Sequence, residues 1–204
     1  MRKDTAMKEL RLVLASRNQH KIREINAMIS EYLDHVTVLS LDDVGLFGDV
    51  EETGTTFEEN AFLKAHYAAK SGYIAFADDS GLAVTALGGA PSVLSARYAG
   101  GHGDDAANRA LLLKNLEGSA NRSAAFVSCI ACVLPDGREF SVHGFADGEI
   151  LHTERGEGGF GYDNLFLYPP MGLSFAEMTP DEKNAVSHRR RALEAFAKKL
   201  SEFL

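Results

Sequence analysis

The chain has 204 residues, of which 45% are hydrophobic and 25% are charged, and its formal net charge is −8. These fractions are typical of a soluble globular protein and exclude collagen, a coiled coil and intrinsic disorder. The negative charge argues against nucleic acid as a partner, because a polyanion would gain no bulk attraction. The length predicts one domain or two small lobes, with a sizeable hydrophobic core.

The sequence offers no candidate segment for export or for crossing a membrane. The stretch from Met1 to Leu10 contains no apolar core of the length that a signal peptide needs. The longest nearly apolar run, Ala124 to Leu134, is too short to span a bilayer as a helix. We therefore expect a cytoplasmic protein with no membrane partner.

The two cysteines match a C-x-x-C pattern, which raises the question of a zinc site or a disulfide. Cys129 and Cys132 lie within the apolar, strand-like run that ends at Leu134. Side chains three positions apart on a strand face opposite sides of the sheet, which suits neither a shared metal nor a bond between the two sulfurs. We expect two buried core thiols.

The first half of the chain alternates predicted strands and helices. Apolar runs predict strands at residues 12–15, 36–39, 73–77 and 82–87. Apolar residues at helical spacing predict a helix over 20–32. An S/T-x-x-E capping box from Thr55 to Glu58 predicts the start of a second helix, which continues to Lys70. The acidic, glycine-containing segment 41–54 is predicted to be a loop.

The second half combines helices with a long hairpin. A helix is predicted over 104–116, followed by a strand at 122–134 that turns at Pro135-Asp136-Gly137 and returns as 138–146. Residues 156–161 form a predicted glycine-rich loop, and Thr179 to Glu182 carries the capping pattern that opens the last helix. Strands and helices that alternate in the first half of the chain, followed by a long hairpin, predict an α/β fold with a mixed central sheet and flanking helices.

Asp78-Asp79-Ser80-Gly81 follows a predicted strand and is the strongest candidate for a chemical site. Ligands of α/β folds bind at the carboxyl ends of strands, and paired acids there suit a hard cation such as Mg²⁺. The alternative is an acidic turn in which an aspartate caps a backbone N–H. A D-x-D phosphatase site is disfavoured, because adjacent acids point to opposite sides of a strand. Glu51-Glu52 offers a second carboxylate for the same metal, or is a solvated acidic pair.

Residues Ser16 to Lys21 form a polar, basic turn between a predicted strand and a predicted helix. The free N–H groups and the positive dipole end of a helix N-terminus attract phosphate, and Lys21 could add a cation. The turn lacks the glycines of a Walker P-loop. An ordinary helix cap is the alternative.

Residues 156–161 match G-x-G-x-x-G by letter, but the sequence that follows predicts a strand or loop. A dinucleotide-binding site needs a helix at that point, so we reject that interpretation. The loop does place Phe160, Tyr162 and Asp163 together, where an aromatic ring could stack on a base and a carboxylate could accept a base N–H. The alternative is a flexible turn.

The predicted last helix carries an arginine on its apolar stripe. Arg189 shares a face with Leu193 and Phe196, and His188 lies at the edge of that face. A buried cation needs a partner, which is either a structural salt bridge or a ligand gripped in a cleft. Lys183 lies well round the same helix, near its N-terminal turn.

Together these segments resemble the inosine triphosphate pyrophosphatase family, from Leu12 to Leu193. The resemblance is carried by residues 16–21, 51–61, 77–82, 95–100, 159–163, 176–178, 182–184 and 187–189. It implies a single two-lobed domain over residues 1–204, with the active site in a cleft between the lobes, and a homodimer. It also implies Mg²⁺-dependent hydrolysis of non-standard purine nucleoside triphosphates (ITP, dITP and XTP) to the monophosphate and pyrophosphate, which cleanses the nucleotide pool.

The same resemblance assigns roles to individual residues. Asp79 is implied to be the catalytic acid–base residue and a metal ligand, with Glu51 as the companion ligand. The implied triphosphate contacts are Ser16, Arg17, Asn18, Gln19, His20, Lys21 and Ser80. The implied nucleotide and base contacts are Phe160, Gly161, Tyr162, Asp163, Lys183, His188 and Arg189. Arg17 stands where the family often has a small residue.

Two other functions remain open. One is a pyrophosphatase for other modified nucleotides, and the other is a nucleotide-binding protein without catalysis. The presence of Asp79, Glu51 and Lys21 favours an enzyme. Donors from His188 or Arg189 would suit the 6-oxo group of hypoxanthine or xanthine better than the 6-amino group of adenine.

Overall fold

A mixed β-sheet organises the chain across residues 9–101 and 103–204, which are the residues that the computed structural model describes. The strands are β1 (Leu10–Leu14), β2 (Val36–Leu39), β3 (Ile74–Val84), β4 (Ser123–Val133), β5 (Glu139–Ile150), β6 (Phe166–Tyr168) and β7 (Leu173–Ser174). Their order in the sheet is β2-β1-β3-β4-β5-β6-β7. β1 pairs in parallel with β2 and β3, whereas every pair from β3 to β7 is antiparallel. The predicted α/β fold with a mixed sheet is confirmed.

The helices begin at residues with capping side chains. They are α1 (Gln19–Ile29), α2 (Phe57–Ala69), α3 (Asp105–Asn115), α4 (Pro180–Val186) and α5 (His188–Ser201). The capping box of α2 consists of Thr56 and Glu59, so the predicted pair Thr55 and Glu58 was wrong by one residue. Glu59 also accepts hydrogen bonds from the backbone N–H and hydroxyl of Thr55, which therefore lies just outside the helix.

The segment Asp78-Asp79-Ser80-Gly81 is not the end of a strand, contrary to the prediction. β3 continues through it to Val84 and so includes the first half of the strand predicted at 82–87, whereas the second half, Thr85–Leu87, is a short 3₁₀ helix. The reason is tertiary pairing: β4 follows β3 in antiparallel register from Ala75 to Val84. This ladder supplies the hydrogen bonds that turn-forming residues would otherwise find locally.

The predicted last helix is two helices. Ser187 adopts an extended conformation (φ −69°, ψ 156°) that ends α4, and its side chain accepts from the N–H of Arg190 to cap α5. The prediction of one continuous helix was therefore wrong and misplaced Lys183, which is buried, whereas the shared buried face of Arg189, Leu193 and Phe196 is confirmed. The break places His188 and Arg189 in the first turn of α5, beside the sheet.

One face of the sheet carries two hydrophobic clusters separated by a row of polar or small residues. Phe76 and Ile130 pack with α1 and α5, whereas Leu82 and Phe126 pack with α3, β6 and β7. Between them lie Asp78 and Ser80 on β3, Ser128 on β4 and Gly144 on β5. A side-chain carbon at Gly144 would collide with the backbone of His188 and Ala192, so the glycine allows α5 to approach the sheet here. The polar row thus lies directly under the first turn of α5.

The opposite face of the sheet is covered by α2. Alanines 61, 65 and 68 of this helix pack on Val13, Ala77 and Ala131. Cys129 belongs to this layer and Cys132 to the layer beneath α5, both fully buried with free thiols, as predicted. The described part of the chain contains no helix with the length and apolarity needed to cross a membrane. The prediction about a signal peptide concerns mainly residues 1–8, which lie outside the described residues.

Candidate active site

A cleft of about 960 Å³ opens where β1 ends beside the middle of β3. Its walls include the first turns of α1 and α5, the loop that precedes α2, and the glycine-rich loop. The predicted site residues that line it are Ser16, Arg17, Asn18, His20, Lys21, Glu51, Asp79, Ser80, Phe160, Gly161, Tyr162, Asp163, Lys183, His188 and Arg189. Gln19, the first residue of α1, does not line it. Segments far apart in sequence therefore converge as the resemblance implied.

The adjacent aspartates of β3 contact different cations on opposite faces of the sheet. Asp78 lies on the α5 face, where its Oδ2 is 3.0 Å from Lys21 Nζ and 3.3 Å from an Arg189 Nη. The hydroxyl of Ser128 donates to the other oxygen of Asp78 at 2.5 Å. Asp79 lies on the α2 face, 2.6 Å from Lys64 Nζ. Each carboxylate thus has its own electrostatic environment, although the two residues are neighbours.

These environments shift the two pKa values in opposite directions. Burial alone would raise the pKa of Asp78, but the charges of Lys21 and Arg189 outweigh it and hold that pKa far below its ordinary value. Burial raises the pKa of Asp79, and the charges of Lys64 and Lys21 only partly oppose the rise. Neighbouring carboxyl groups with diverging pKa values are typical of catalytic sites that need one fixed anion and one proton carrier.

Lys64 is a site residue that the sequence analysis missed. Its ammonium group contacts Asp79 and, at 2.8 Å, Glu52 Oε1. Burial works to lower the pKa of Lys64, but the two carboxylates outweigh it and keep the lysine charged. A pattern for it existed, because Lys64 falls at helical spacing among the buried residues Asn60, Ala61, Ala65 and Ala68 of α2. A cation on that face needs an acid across the interface.

The turn from Ser16 to Lys21 carries positive charge into the cleft. The side chain of Asn18 accepts hydrogen bonds from the N–H groups of His20 and Lys21, so this residue is the N-cap of α1. The hydroxyl of Ser16 accepts from the N–H of Asn18. With these N–H groups already engaged, attraction for phosphate comes mainly from the helix dipole and from Lys21.

The guanidinium of Arg17 points to the loop that precedes α2 and contacts it at several atoms. One nitrogen donates to the carbonyl of Gly48 at 2.9 Å and to Asp49 Oδ1 at 2.8 Å. The other donates to the carbonyl of Leu46 at 2.9 Å. The same loop brings Glu51, an exposed carboxylate, to the wall of the cleft.

The glycine-rich loop forms the far end of the cleft. The ring of Phe160 stacks on His20, with centroids 4.9 Å apart, and Lys183 Nζ lies 4.7 Å from the Phe160 centroid. Asp163 accepts from the N–H of Phe160 at 2.9 Å and pairs with Lys183 at 2.7 Å. The hydroxyl of Tyr162 donates to the carbonyl of Ser95, which makes its contribution structural. The residues directly after this loop form a turn and then β6 rather than a helix, as predicted.

A buried ion-pair network links α1, α4 and α5. Arg189, 1% exposed, contacts Glu24 and Asp78 and donates to the hydroxyl of Ser80 at 3.0 Å. Glu24 also pairs with Lys183 at 2.8 Å. Sequence analysis missed Glu24, although it lies one helical turn from Lys21 and faces the same side. The structural salt bridge considered for Arg189 is therefore present, in a residue that also lines the cleft.

His188 lies next to this network as a neutral ring. It stacks on Phe126 with centroids 4.9 Å apart, and its buried Nδ1 has no hydrogen-bond partner. Burial, reinforced by the charge of Arg189, lowers the pKa of His188 well below its ordinary value. The ring nevertheless forms part of the wall of the cleft.

The oxygen donors of the cleft suit a hard divalent cation. Glu51 and Asp79 both line it. Glu52 lies near Asp79, because Lys64 contacts both carboxylates. Within residues 9–101 and 103–204, no group of three His, Cys, Asp or Glu side chains is arranged to hold a metal ion. Mg²⁺ commonly takes only one or two carboxylates and completes its shell with water and substrate phosphate, so this donor set fits.

Comparison with known proteins places the whole arrangement in one family. The sequence profile of the Ham1 family matches residues 12–199. The chain is 50% identical over 185 residues to a dITP/XTP pyrophosphatase of Syntrophobacter fumaroxidans, covering 89% of this chain and 78% of that protein. The Staphylococcus aureus Ham1 structure superposes with a TM-score of 0.85 at 39% identity, covering 95% of this chain and all of that one. A crystal structure of a nucleoside-triphosphatase / dITP/XTP pyrophosphatase from Mycobacterium abscessus gives a TM-score of 0.75 at 47% identity, covering 92% and 98%. The chain belongs to the Ham1 family.

Proposed function

We propose that this protein hydrolyses non-standard purine nucleoside triphosphates, namely dITP, ITP and XTP, to the monophosphate and pyrophosphate. The relatives named dITP/XTP pyrophosphatase are 43–50% identical over most of the chain and support this substrate class. The observation that carries the reaction type is the adjacent pair Asp78 and Asp79, whose pKa values are driven apart within one cleft. Such a pair suits hydrolysis, which needs a proton acceptor beside a rigid charged scaffold.

Asp79 is the group proposed to orient and deprotonate the attacking water. Its carboxylate lines the cleft, and Lys64, 2.6 Å away, fixes its orientation. Attack of the water oxygen on the α-phosphorus forms one P–O bond and breaks the bond to the bridging oxygen, so that pyrophosphate leaves. Lys21 and the N-terminus of α1 would stabilise the charge of the outer phosphates.

The cofactor that we propose is Mg²⁺, held by Glu51 and Asp79. When bound, it would neutralise phosphate charge and polarise the oxygens of the reacting group. The chain needs such help because its net charge is −8 while its substrate is a polyanion. Phosphoryl transfer depends mostly on positioning and charge neutralisation, so these two carboxylates and Lys21 would supply most of the catalysis.

The opposite end of the cleft is proposed to read the base. Phe160 offers a ring on which a purine can stack. His188 lines the cleft as a neutral ring, whose one N–H can donate to a 6-oxo group. The two terminal nitrogens of Arg189 already contact Glu24, Asp78 and Ser80, so direct base contact falls mainly to His188.

The decisive experiment measures pyrophosphate release from ITP, dITP and XTP with and without Mg²⁺, beside ATP and GTP. We expect release from the first three at rates well above those for ATP, and none with excess chelator. Activity restricted to other modified nucleotides would favour the alternative pyrophosphatase, and binding without release would favour a non-catalytic protein. The homodimer and the cytoplasmic location stay predictions, which light scattering and cell fractionation test.

A further inference from the structure

The side chain of Arg17 holds the loop that leads to Glu51. We call residues 46–52 the acidic loop. Both terminal nitrogens of the guanidinium donate to it, reaching two backbone carbonyls and the carboxylate of Asp49 at 2.8–2.9 Å. The nearest further acid, Asp42, is 3.6 Å away and precedes the same loop. Three of the five N–H donors of Arg17 are thus engaged by one segment of chain.

Two other side chains hold the same loop from α2. The hydroxyl of Tyr67 accepts a hydrogen bond from the N–H of Gly48 at 2.8 Å. The carbonyl of Gly48 accepts from Arg17, so both backbone groups of this glycine are hydrogen-bonded. Lys64 then holds Glu52 at 2.8 Å. Glu51 lies between these anchors and has an exposed side chain.

We propose that Arg17 is a positioning residue that fixes the acidic loop so that Glu51 faces the cleft, and that it is not a phosphate ligand. The proposal rests on the proposed function for its link to Mg²⁺. Two backbone carbonyls and one carboxylate of the loop accept hydrogen bonds from this one guanidinium. Swinging the guanidinium towards a phosphate would break these hydrogen bonds and leave the carbonyls of Leu46 and Gly48 without this donor.

Geometry explains why an arginine performs this task. A planar guanidinium has donors in a fixed fork, which matches two carbonyls and a carboxylate spread along four residues. A lysine concentrates its charge at one point and cannot reach all three acceptors together. Arg17→Lys is therefore expected to keep the charge and lose most of the anchoring.

The test compares Arg17→Ala, Arg17→Lys and Tyr67→Phe with a matched control. Arg11→Ala removes the same charge from the strand that leads into the turn, but Arg11 pairs with Glu9 rather than with the loop. The first readout is hydrogen–deuterium exchange of residues 46–52 in the protein without nucleotide. The second is the Mg²⁺ concentration for half-maximal pyrophosphate release at saturating ITP, set against the KM for ITP at saturating Mg²⁺.

We expect faster exchange in the acidic loop and a Mg²⁺ requirement raised about tenfold in Arg17→Ala, most of that change in Arg17→Lys, and a smaller shift in Tyr67→Phe. The KM for ITP should stay within about threefold, and Arg11→Ala should match the wild type. A raised KM with unchanged exchange and unchanged Mg²⁺ requirement would overturn the proposal and make Arg17 a phosphate ligand. Tyr67→Phe keeps the ring, so it tests the anchor even if Arg17→Ala does not fold. Absence of pyrophosphate release in the wild type would refute the proposed function, while exchange would still report on the anchor.

Discussion

Replacement of Arg189 by alanine is expected to lower stability sharply, because it removes the centre of the buried ion-pair network. The guanidinium contacts two carboxylates and is almost fully buried. Removing one partner of a buried pair costs about 3–5 kcal/mol. Asp78 keeps Lys21 at 3.0 Å and Glu24 keeps Lys183 at 2.8 Å, so neither acid is left without a cation. We therefore expect Arg189→Ala to lower the free energy of unfolding by about 3 kcal/mol, the low end of that range.

For a protein of this length, a loss of about 3 kcal/mol corresponds to a fall in Tm of about 6–12 °C. The assay is urea and thermal unfolding followed by circular dichroism, with Arg190→Ala as the matched control. Arg190 is the next residue of α5 and pairs with Glu31 at the surface, a contact worth about 0.2–1 kcal/mol. Equal losses for the two variants would refute the reasoning.

The same Arg189→Ala protein decides between architecture and base reading. The kcat/KM for ITP and for ATP should fall together, because the substitution disturbs Asp78 and Lys183 rather than a base contact. If discrimination between the two nucleotides collapses by about 10–100-fold while stability is kept, the arginine reads the base directly.

Three further outcomes follow from the site. Asp79→Asn should reduce pyrophosphate release at least about 100-fold at unchanged fold, and turnover within about tenfold of the wild type would contradict its role as proton acceptor. Lys21→Ala should raise the KM for ITP more than the inhibition constant of IMP, and equal weakening would mean that Lys21 does not touch the outer phosphates. The pKa of His188 is lowered below its ordinary value of 6.5, so the unfolded chain binds the proton first and stability falls as pH drops below 6.5. In urea unfolding, His188→Gln should lose less stability than the wild type between about pH 6.5 and 5. An equal loss in both proteins would mean that other groups cause it.

Local patterns predicted the elements whose signals lie within one segment. Helix α3 was predicted to within a residue of its observed ends, since Asp104 caps it and Leu112 and Leu116 pack on one side. The long hairpin was also predicted, because a proline–aspartate–glycine turn joins two apolar strands. β5 extends four residues past its predicted end at position 146, since β4 continues to pair with it as far as Glu149.

The features that were not predicted all depend on distant partners. Asp78 and Asp79 were predicted to lie past the end of a strand, because nothing in their own segment shows that β4 pairs with them. Lys64 and Glu24 were identified as site residues only from the structure, which places α2 and α1 against the sheet. The family resemblance assigned Arg17 to the triphosphate, whereas its hydrogen bonds in the structure go to residues about 30 positions further along the chain, from Leu46 to Asp49.

The uninterrupted course of β3, β4 and β5 restricts how the cleft can change shape. These strands pass from one hydrophobic cluster to the other, and Asp78 and Asp79 pair with β4 in the middle of the ladder. Bending the protein about the cleft would break several ladder hydrogen bonds at once, so we expect the sheet to resist bending there. The acidic loop is itself held by Arg17, Tyr67 and Lys64, so adjustment to a nucleotide is left mainly to the loop of Phe160. The two aspartates of the proposed catalytic site would keep their positions while that loop adapts to the base.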